Sequence, residues 1–262
     1  MRLDKFLVEN GWFASRERAQ QALKDKRVFV DGKCVEKSSF EINDEKVEIK
    51  SQEDFVSRGA YKLLGAVQNF GLKFEGKTVL DIGASTGGFT QVCLNLGAKK
   101  VYALDVGHGQ LNPQIALDER VVNMEGLDFR QAQKLEYVNA IVSDISFISL
   151  THILPILSRD YPQVEMVLLF KPQFECGERL AKKFNGVVLD AKLHTRLLND
   201  FLDCLKVYNL RLSGLCYSPV CGKEGNIEYL VYINGASNQS VSVDSIVNEA
   251  FKKLKVAKTK KK

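Results

Sequence analysis

One feature constrains the fold of this chain more than any other: a short, mostly apolar run that leads into a glycine-rich turn. Thr78–Leu80 is typical of a buried strand; Asp81 follows it, and a helix can begin at Phe89. The glycines of the intervening turn are Gly83, Gly87 and Gly88. Because glycine has no Cβ, a ligand can come close to the main chain there. The run predicts an open α/β sheet, which binds nucleotides outside the carboxyl ends of its strands.

The spacing of these glycines narrows the choice of ligand. A dinucleotide-binding turn reads G-x-G-x-x-G, whereas this turn reads G-x-x-x-G-G with an acid two residues before it. That carboxylate suits the ammonium of an adenosyl ligand that carries an amino acid, and it would repel a pyrophosphate. The pattern favours S-adenosyl-L-methionine over NAD; a glycine-rich turn of any α/β domain is the alternative. The residues expected to bind the cofactor here are Asp81, Gly83, Ser85, Gly87, Gly88 and Phe89.

Two acids further along the chain are also expected at this ligand. Asp105 closes the second strand candidate, about 20 residues past the glycine turn, where an acid binds ribose hydroxyls in such folds. Asp128 follows the third candidate and is expected near the adenine. For both residues, an ordinary turn at a strand end is the alternative.

Alternating strand and helix patterns follow one another from Ser57 onward. They predict a mainly parallel, seven-stranded α/β sheet with helices on both faces and an antiparallel last strand. This arrangement fits a Rossmann-like methyltransferase fold. The strand candidates are Val79–Asp81, Val101–Val106, Val121–Met124, Ala140–Asp144, Met166–Lys171, Arg211–Tyr217 and Ile227–Ile233.

The first 50 residues have a different pattern. Two short helical stripes come first, and Ser15 is placed to cap the second. A hairpin follows, in which Asp31-Gly32 joins two short β segments. Two helices with a basic face before such a hairpin resemble the S4 RNA-binding domain, a small α+β module. The basic side chains expected to bind RNA are Arg2, Arg16, Arg18, Lys24, Lys26, Arg27 and, beyond this module, Arg58.

The net charge of +5 comes from the end of the chain. Residues 252–262 hold seven lysines and no acids, so the other residues carry a net charge of −2. A face that binds nucleic acid must therefore be local. The lysine-rich tail, 251–262, is expected to be a solvated extension that attracts phosphate or aids solubility. The polar segment 51–56 is expected to link a first domain, 1–50, to a second, 57–250.

Other features point to the cytoplasm. The six cysteines show no C-x-x-C pair or zinc-like spacing, as is typical of free thiols in a reducing compartment. No apolar segment follows Met1–Asp4 as a signal peptide would require. The most apolar stretch, 145–157, is shorter than the roughly 20 residues that span a bilayer. We expect a monomer without a metal and without a membrane partner.

Two charged residues close later strand candidates. Asp144 ends the fourth, in S-D-I-S-F, and is expected over the cofactor. Lys171 ends the fifth, in F-K-P-Q-F, with an apolar strand before it, so its amine is expected to be partly desolvated. An acid and a lysine at this edge of the sheet are candidates for proton transfer.

Six separated motifs along the chain form one pattern. They are S-R-G-A-Y-K-L (57–63), D-I-G-A-S-T-G-G-F (81–89), D-V-G-H-G-Q-L (105–111), D-I-S-F-I-S-L (144–150), K-P-Q-F-E (171–175) and G-N-I-E (225–228). In this order they resemble the TlyA family, ribosomal RNA 2′-O-methyltransferases also labelled hemolysin A. That family has an S4 domain before an FtsJ-like catalytic domain.

The resemblance implies a catalytic tetrad. The family's Lys-Asp-Lys-Glu set falls on Lys62, Asp144, Lys171 and Glu228. Lys171 would take the proton of a ribose 2′-hydroxyl as it attacks the cofactor's methyl group. Asp144 would orient Lys171, while Lys62 and Glu228 would position the ribose.

The resemblance also implies ribosomal subunits as partners and a cytidine of the large subunit rRNA as the target, with the small subunit rRNA as a second candidate. Two other functions stay open: a membrane-active cytolysin, as the family's other name suggests, and a non-catalytic rRNA-binding assembly factor. Asn185–Val188 departs from the family pattern, which leaves its substrate contact open. His194 is expected on the surface of a helix.

Overall fold

The computed structural model describes residues 1–13, 15–49, 55–177, 184, 186–234 and 241–254. It divides the chain into two compact units, Met1–Phe55 and Val56–Lys262. The division falls inside the linker predicted at 51–56, of which residues 51–54 lie outside the described residues. The predicted tail lies outside them from residue 255.

The first unit is the small α+β module that the sequence predicts. Its elements are α1 (Leu3–Glu9), α2 (Arg16–Lys24), β1 (Val28–Val30), β2 (Lys33–Cys34) and β3 (Val47–Ile49). Ser15 accepts a hydrogen bond from the Arg18 N–H and thereby caps α2. β1 lies between β2 and β3 and is antiparallel to both. Buried side chains from both helices and from the sheet form one core, which includes Leu7 and Leu23.

A buried carboxylate joins the start of α1 to α2. Asp4 is fully buried and accepts hydrogen bonds from Arg2 at 3.1 Å, Arg16 at 2.9 Å and Gln20 at 2.8 Å. The bonds from Arg2 hold the pKa of this carboxyl well below its usual range. About half of each arginine side chain stays exposed, 49% for Arg2 and 51% for Arg16. Both arginines therefore keep a face toward solvent.

The second unit has the predicted α/β pattern. Its helices are α3 (Ala60–Phe70), α4 (Gly88–Asn95), α5 (Pro113–Ala116), α6 (Leu154–Asp160), α7 (Pro172–Glu175), α8 (Ala191–Val207) and α9 (Val243–Lys253). Its strands are β4 (Thr78–Ile82), β5 (Lys100–Asp105), β6 (Val121–Glu125), β7 (Ala140–Ser143), β8 (Glu165–Phe170), β9 (Leu212–Tyr217) and β10 (Tyr229–Ile233). Short 3-10 turns occupy Phe129–Gln131 and Leu150–His152.

The seven strands form one sheet in the order β6-β5-β4-β7-β8-β10-β9. β4 to β8 are parallel neighbours, and β10 is antiparallel to β8 and β9, which confirms the predicted antiparallel last strand. β7 is buried along its whole length, as expected for a strand inside a covered parallel sheet. The chain order reverses between β4 and β7. Ligands of open α/β sheets bind at such a switch point.

The end of the chain differs in part from the prediction. α9 continues to Lys253, and its buried residues Val247 and Ala250 belong to the main core. Residues 251–253, assigned from sequence to a solvated tail, are therefore helical. Lysine is a good helix former, and positive charge suits the last turn of a helix, so a lysine-rich stretch does not by itself end one.

The prediction for His194 is wrong. Its side chain lies in α8 but is fully buried. The Tyr229 hydroxyl donates to Nδ1 at 2.8 Å, and Nε2–H donates to the Val188 carbonyl at 3.0 Å. Burial lowers the pKa of His194 to about 4, so the ring is neutral at pH 7. Both partners come from other segments, which periodicity along one helix does not indicate.

We expect His194 to make the protein less stable in mild acid. An unfolded histidine takes up a proton near pH 6.5, whereas this buried ring resists until about pH 4, so the folded state binds fewer protons in between. The stabilisation is complete above pH 6.5 and is lost toward pH 4, by ~3 kcal/mol. Denaturant unfolding of the wild type and of His194→Gln measures it. The stability difference between the two proteins should shrink from pH 7.5 to pH 5; a constant difference would contradict a neutral buried ring.

Candidate active site

A cleft opens at the carboxyl ends of β4, β7 and β8, where the strand order reverses. Its volume is about 850 Å³, a size typical of small-molecule sites. The glycine turn after β4, the segments after β7 and β8, the start of α3 and residues 221–228 form its walls. The charged residues in these walls are Arg58, Lys62, Asp144, Lys171, Lys223, Glu224 and Glu228.

Most of the predicted cofactor turn lines this cleft. The residues concerned are Gly83, Ser85, Gly88 and Phe89. Gly87 is not among the lining residues; a Cβ there would press on Leu111 and Ile115. At Gly83, which has a φ of +85°, a Cβ would lie 3.0 Å from the Ile145 nitrogen. Gly83 thus leaves room for the backbone of Ile145. The sequence does not indicate this need for a glycine.

Asp81 is fully buried and is not part of the cleft wall. Thr90 donates a hydrogen bond to its Oδ2 at 2.6 Å, while Oδ1 is buried and has no hydrogen-bond partner among the described residues. Burial raises the pKa of this carboxyl to about 7, and the charges of Asp144 and Asp105 add to the rise. A buried oxygen without a hydrogen bond destabilises the folded protein. A donor from a bound ligand would remove this cost at Oδ1.

The other two predicted cofactor acids bind protein donors. Asp105 accepts hydrogen bonds from the backbone N–H groups of Ser85 at 2.9 Å and Gly107 at 2.7 Å. Asp128 forms an ion pair with Arg130 at 2.6 Å and caps the following 3-10 turn. Asp105 ends β5 and Asp128 follows β6, as predicted, yet neither lines the cleft. Their contacts with a ribose and an adenine stay predictions.

Four charged side chains of the predicted tetrad meet in the cleft. Asp144 Oδ1 lies 2.6 Å from Lys171 Nζ, and Asp144 Oδ2 lies 3.6 Å from Lys62 Nζ. Lys62 Nζ also lies 2.8 Å from Glu228 Oε2. The result is a row of alternating charge, from Glu228 through Lys62 and Asp144 to Lys171. The exposed fraction of each side chain is between 3% and 20%, so water screens these charges weakly.

Lys62 is a fixed cation in this row. Burial alone would lower its pKa, but the carboxylates of Asp144 and Glu228 outweigh burial and raise it. The ammonium therefore stays charged between two anions. Its place in the first turn of α3 sets it at the wall of the cleft.

The amine of Lys171 is held from several sides. Nζ donates to Ser146 Oγ at 2.7 Å and to the Asp144 carbonyl at 3.3 Å, and it lies 5.7 Å from the centre of the Phe174 ring. Lys171 follows β8 directly, and its side chain is only 6% exposed. Sequence reasoning missed Ser146 as a partner, although it lies two residues after Asp144.

Two further polar residues shape the cleft without having been predicted. Gln173 Nε2 donates to Glu228 Oε1 at 3.5 Å. Asn226 is buried; its Oδ1 accepts from the Val188 N–H at 2.9 Å and its Nδ2 donates to the Gly186 carbonyl at 2.8 Å. Asn226 therefore fixes residues 186–188 beside Glu228. The sequence could have indicated Asn226 through its position two residues before Glu228.

The predicted RNA-binding residues fall into two groups. Arg2 and Arg16 bind Asp4, Lys26 pairs with Glu36 at 3.4 Å, and the Arg27 guanidinium lies 5.6 Å from the Phe13 ring centre. Arg18, Lys24 and Arg58 are exposed, and Arg58 lines the cleft of the second unit. A role in RNA binding stays a prediction for all seven.

Two known families match the chain. Residues 55–235 match the FtsJ-like methyltransferase family, and residues 1–49 match the S4 domain. The two ranges agree with the two compact units.

Individual relatives extend over most of the chain. Hemolysin A of Brachyspira hyodysenteriae is 40% identical over 238 residues, which are 88% of this chain and 99% of that protein. The 16S/23S rRNA (cytidine-2′-O)-methyltransferase TlyA of Mycobacterium tuberculosis is 36% identical over 255 residues, 94% of each chain. A solved structure of a Streptococcus thermophilus protein described as a hemolysin has a TM-score of 0.71 at 35% identity and covers 96% of both chains.

Fold, cleft and family matches together define a methyltransferase that also carries an S4 domain. The chain belongs to the TlyA family, the group of FtsJ-like methyltransferases whose members are also named hemolysin A. This confirms the resemblance drawn from the sequence. In the part of the chain that the structure describes, no helix has the length and apolar character to cross a membrane.

Proposed function

We propose that this protein transfers a methyl group from S-adenosyl-L-methionine to the 2′-hydroxyl of a cytidine in ribosomal RNA. The meeting of Lys62, Asp144, Lys171 and Glu228 in one cleft, beside the turn after β4, carries this proposal. The name of the M. tuberculosis relative, which specifies cytidine and the 2′ oxygen, supports the choice of substrate.

The residues around the turn fit this methyl donor. Oδ1 of Asp81, which is buried and has no hydrogen-bond partner among the described residues, suits the ammonium of its amino-acid part, and Ser85 and Phe89 line the cleft. Asp105, at the end of β5, would take the ribose hydroxyls. When bound, the donor supplies a methyl group on a positively charged sulfur.

Lys171 acts as the general base of the reaction. A ribose hydroxyl is a weak nucleophile, so it must lose its proton as its oxygen attacks. Nζ of Lys171 takes that proton, and Asp144 Oδ1, 2.6 Å away, stabilises the resulting ammonium. Ser146 and the Asp144 carbonyl keep the amine in place.

Lys62 and Glu228 position the ribose. They present an ammonium and a carboxylate 2.8 Å apart on the wall of the cleft, a donor and an acceptor for neighbouring sugar oxygens. The target nucleotide has to leave its stack to reach them. Phe147 is 88% exposed at the cleft and offers a ring on which a base can stack.

The first unit would hold the RNA through exposed cations of α2 and its ends. We expect the double variant Arg18→Ala, Lys24→Ala to bind rRNA more weakly and to show a smaller salt dependence. Each lost phosphate contact should reduce the slope of log K against log salt by about 0.7–0.9. Filter binding at several salt concentrations measures the slope, with Lys206→Ala, an exposed residue of α8, as the control. An unchanged slope in the double variant would exclude both residues from phosphate contact.

The large subunit rRNA is the first expected target. The small subunit rRNA is the second, since the name of the M. tuberculosis relative includes 16S as well as 23S rRNA. Purified subunits from cells that lack the protein can be incubated with the enzyme and methyl-labelled S-adenosyl-L-methionine. Label at a cytidine 2′ oxygen of the large subunit is the expected result. Label in neither subunit would refute the proposed substrate.

Two other functions make different predictions. A membrane-active cytolysin, suggested by the name of the B. hyodysenteriae relative, should lyse cells as purified protein even after Lys171→Ala. A non-catalytic assembly factor should restore ribosome assembly equally well with that variant. Neither function requires the tetrad to be intact.

A further inference from the structure

We propose that Glu175 is a positioning residue that holds the loop after β7 in its reactive form. This inference rests on the proposed methyl transfer. The loop runs from Asp144 to Leu150 and carries both the carboxylate that orients Lys171 and the hydroxyl that contacts it. Glu175 lies outside the tetrad, at the end of α7.

Glu175 binds the far end of this loop. Its Oε1 accepts a hydrogen bond from the Leu150 N–H at 2.8 Å, and its Oε2 accepts one from the Ser149 hydroxyl. Ser149 in turn caps the 3-10 turn that begins at Leu150, whose side chain is buried in the core. The carboxylate therefore fixes the point at which the loop re-enters the core.

The loop and the segment 171–175 contact each other in matching order. Lys171 binds Ser146, the Phe174 ring lies 5.4 Å from the Phe147 ring, and Glu175 binds Ser149 and Leu150. The first contact contains the reacting amine, whereas the last is made by a side chain that does not line the cleft. The short segment 171–175 thus contacts both ends of the loop.

The loop needs such support because its backbone is strained. Phe147 has a φ of +69°, a left-handed conformation that an L side chain rarely adopts and that costs of order 1–3 kcal/mol. Phe147 is 88% exposed, so burial does not offset this cost. The hydrogen bonds of Glu175 at one side and of Lys171 at the other can hold the strained residue. Without Glu175, the loop can relax and carry Ser146 and Asp144 away from Lys171.

The test compares Glu175→Ala, Glu175→Gln and a matched control, Glu249→Ala, which removes an exposed glutamate of α9. In methyl transfer to ribosomal subunits, we expect Glu175→Ala to lower kcat by about 10–100-fold, because small displacements of positioning groups have effects of this size. Its Kd for S-adenosyl-L-methionine should stay within about twofold. Glu175→Gln keeps an acceptor for the Leu150 N–H and should recover most of the rate. The control should match the wild type.

The outcomes separate positioning from mere stability. A loss of kcat well below the melting temperature, with the Kd for S-adenosyl-L-methionine unchanged, supports positioning. A wild-type kcat in Glu175→Ala would overturn it. A decrease of kcat in both Glu175 variants that is proportional to the loss of folded protein would overturn it as well. If Glu175→Ala does not fold, Ser149→Ala decides: a lowered kcat supports the proposal and an unchanged kcat overturns it. If the wild type itself labels no RNA, the proposed function fails, which is a distinct result.

Discussion

Replacement of Lys171 by alanine should lower the rate of methyl transfer by about 10²–10⁴-fold, the usual contribution of a general base. The reason is geometric: Nζ is held in the cleft by Asp144 and Ser146, and alanine has no group that can take the hydroxyl proton. Single-turnover reactions with saturating cofactor and ribosomal subunits measure the chemical step. Binding of both substrates should change little, because the other residues that line the cleft remain.

A matched lysine makes the control for this experiment. Lys192→Ala removes an exposed side chain from the first turn of α8 and should leave the rate unchanged. Asp144→Asn should slow the reaction as well, because the ammonium of Lys171 would lose its closest anion. A wild-type rate in Lys171→Ala would remove this residue from the mechanism.

Replacement of Asp81 by asparagine should weaken the binding of S-adenosyl-L-methionine by about 100-fold at pH 8, in line with the loss of one partner of a buried charge pair. The carboxylate is fully buried, and its Oδ1 lacks a hydrogen-bond partner among the described residues. An ammonium would meet that need, and a neutral amide would meet it poorly. Calorimetry with the wild type and the variant gives both dissociation constants.

The same carboxyl should make cofactor binding depend on pH. Burial raises the pKa of Asp81 to about 7, so in the free protein the group is largely protonated below this pH and ionised above it. Because the ammonium requires the carboxylate, affinity should fall by up to about tenfold per pH unit below pH 7 and level off above it. Asp81→Asn should show no such change between pH 5.5 and pH 8. A flat profile in the wild type would place the ammonium elsewhere.

Much of the fold could be predicted because the relevant patterns are local. The Asp31-Gly32 turn fixes its hairpin within a few residues, and the alternation of strands and helices fixes a mainly parallel sheet. The meeting of Asp144 and Lys171 also follows from sequence, since the ends of neighbouring parallel strands share one edge. Lys62 and Glu228 required the family resemblance, because α3 precedes the first strand of the sheet and Glu228 precedes an antiparallel strand.

The remaining features depend on contacts between distant segments. His194 has the spacing of a helix residue, and only the fold shows that Tyr229 and Val188 bury it. The sequence predicts that Gly83 lets a ligand approach, whereas the fold shows that the Ile145 backbone also requires a glycine there. Glu175 ends the K-P-Q-F-E motif, but its role could not be predicted, because its partners lie 25 and 26 residues earlier in the chain. Hydrogen bonds over such separations follow from packing and not from a local pattern.

The most direct test of the proposed reaction is a map of 2′-O-methylation in the rRNA of cells that contain or lack this protein. Cells with the wild-type protein should carry a 2′-O-methylcytidine in the large subunit rRNA that disappears on deletion. Reintroduction of the wild type should restore it, and Lys171→Ala should not. Identical maps with and without the protein, in both subunits, would contradict the account.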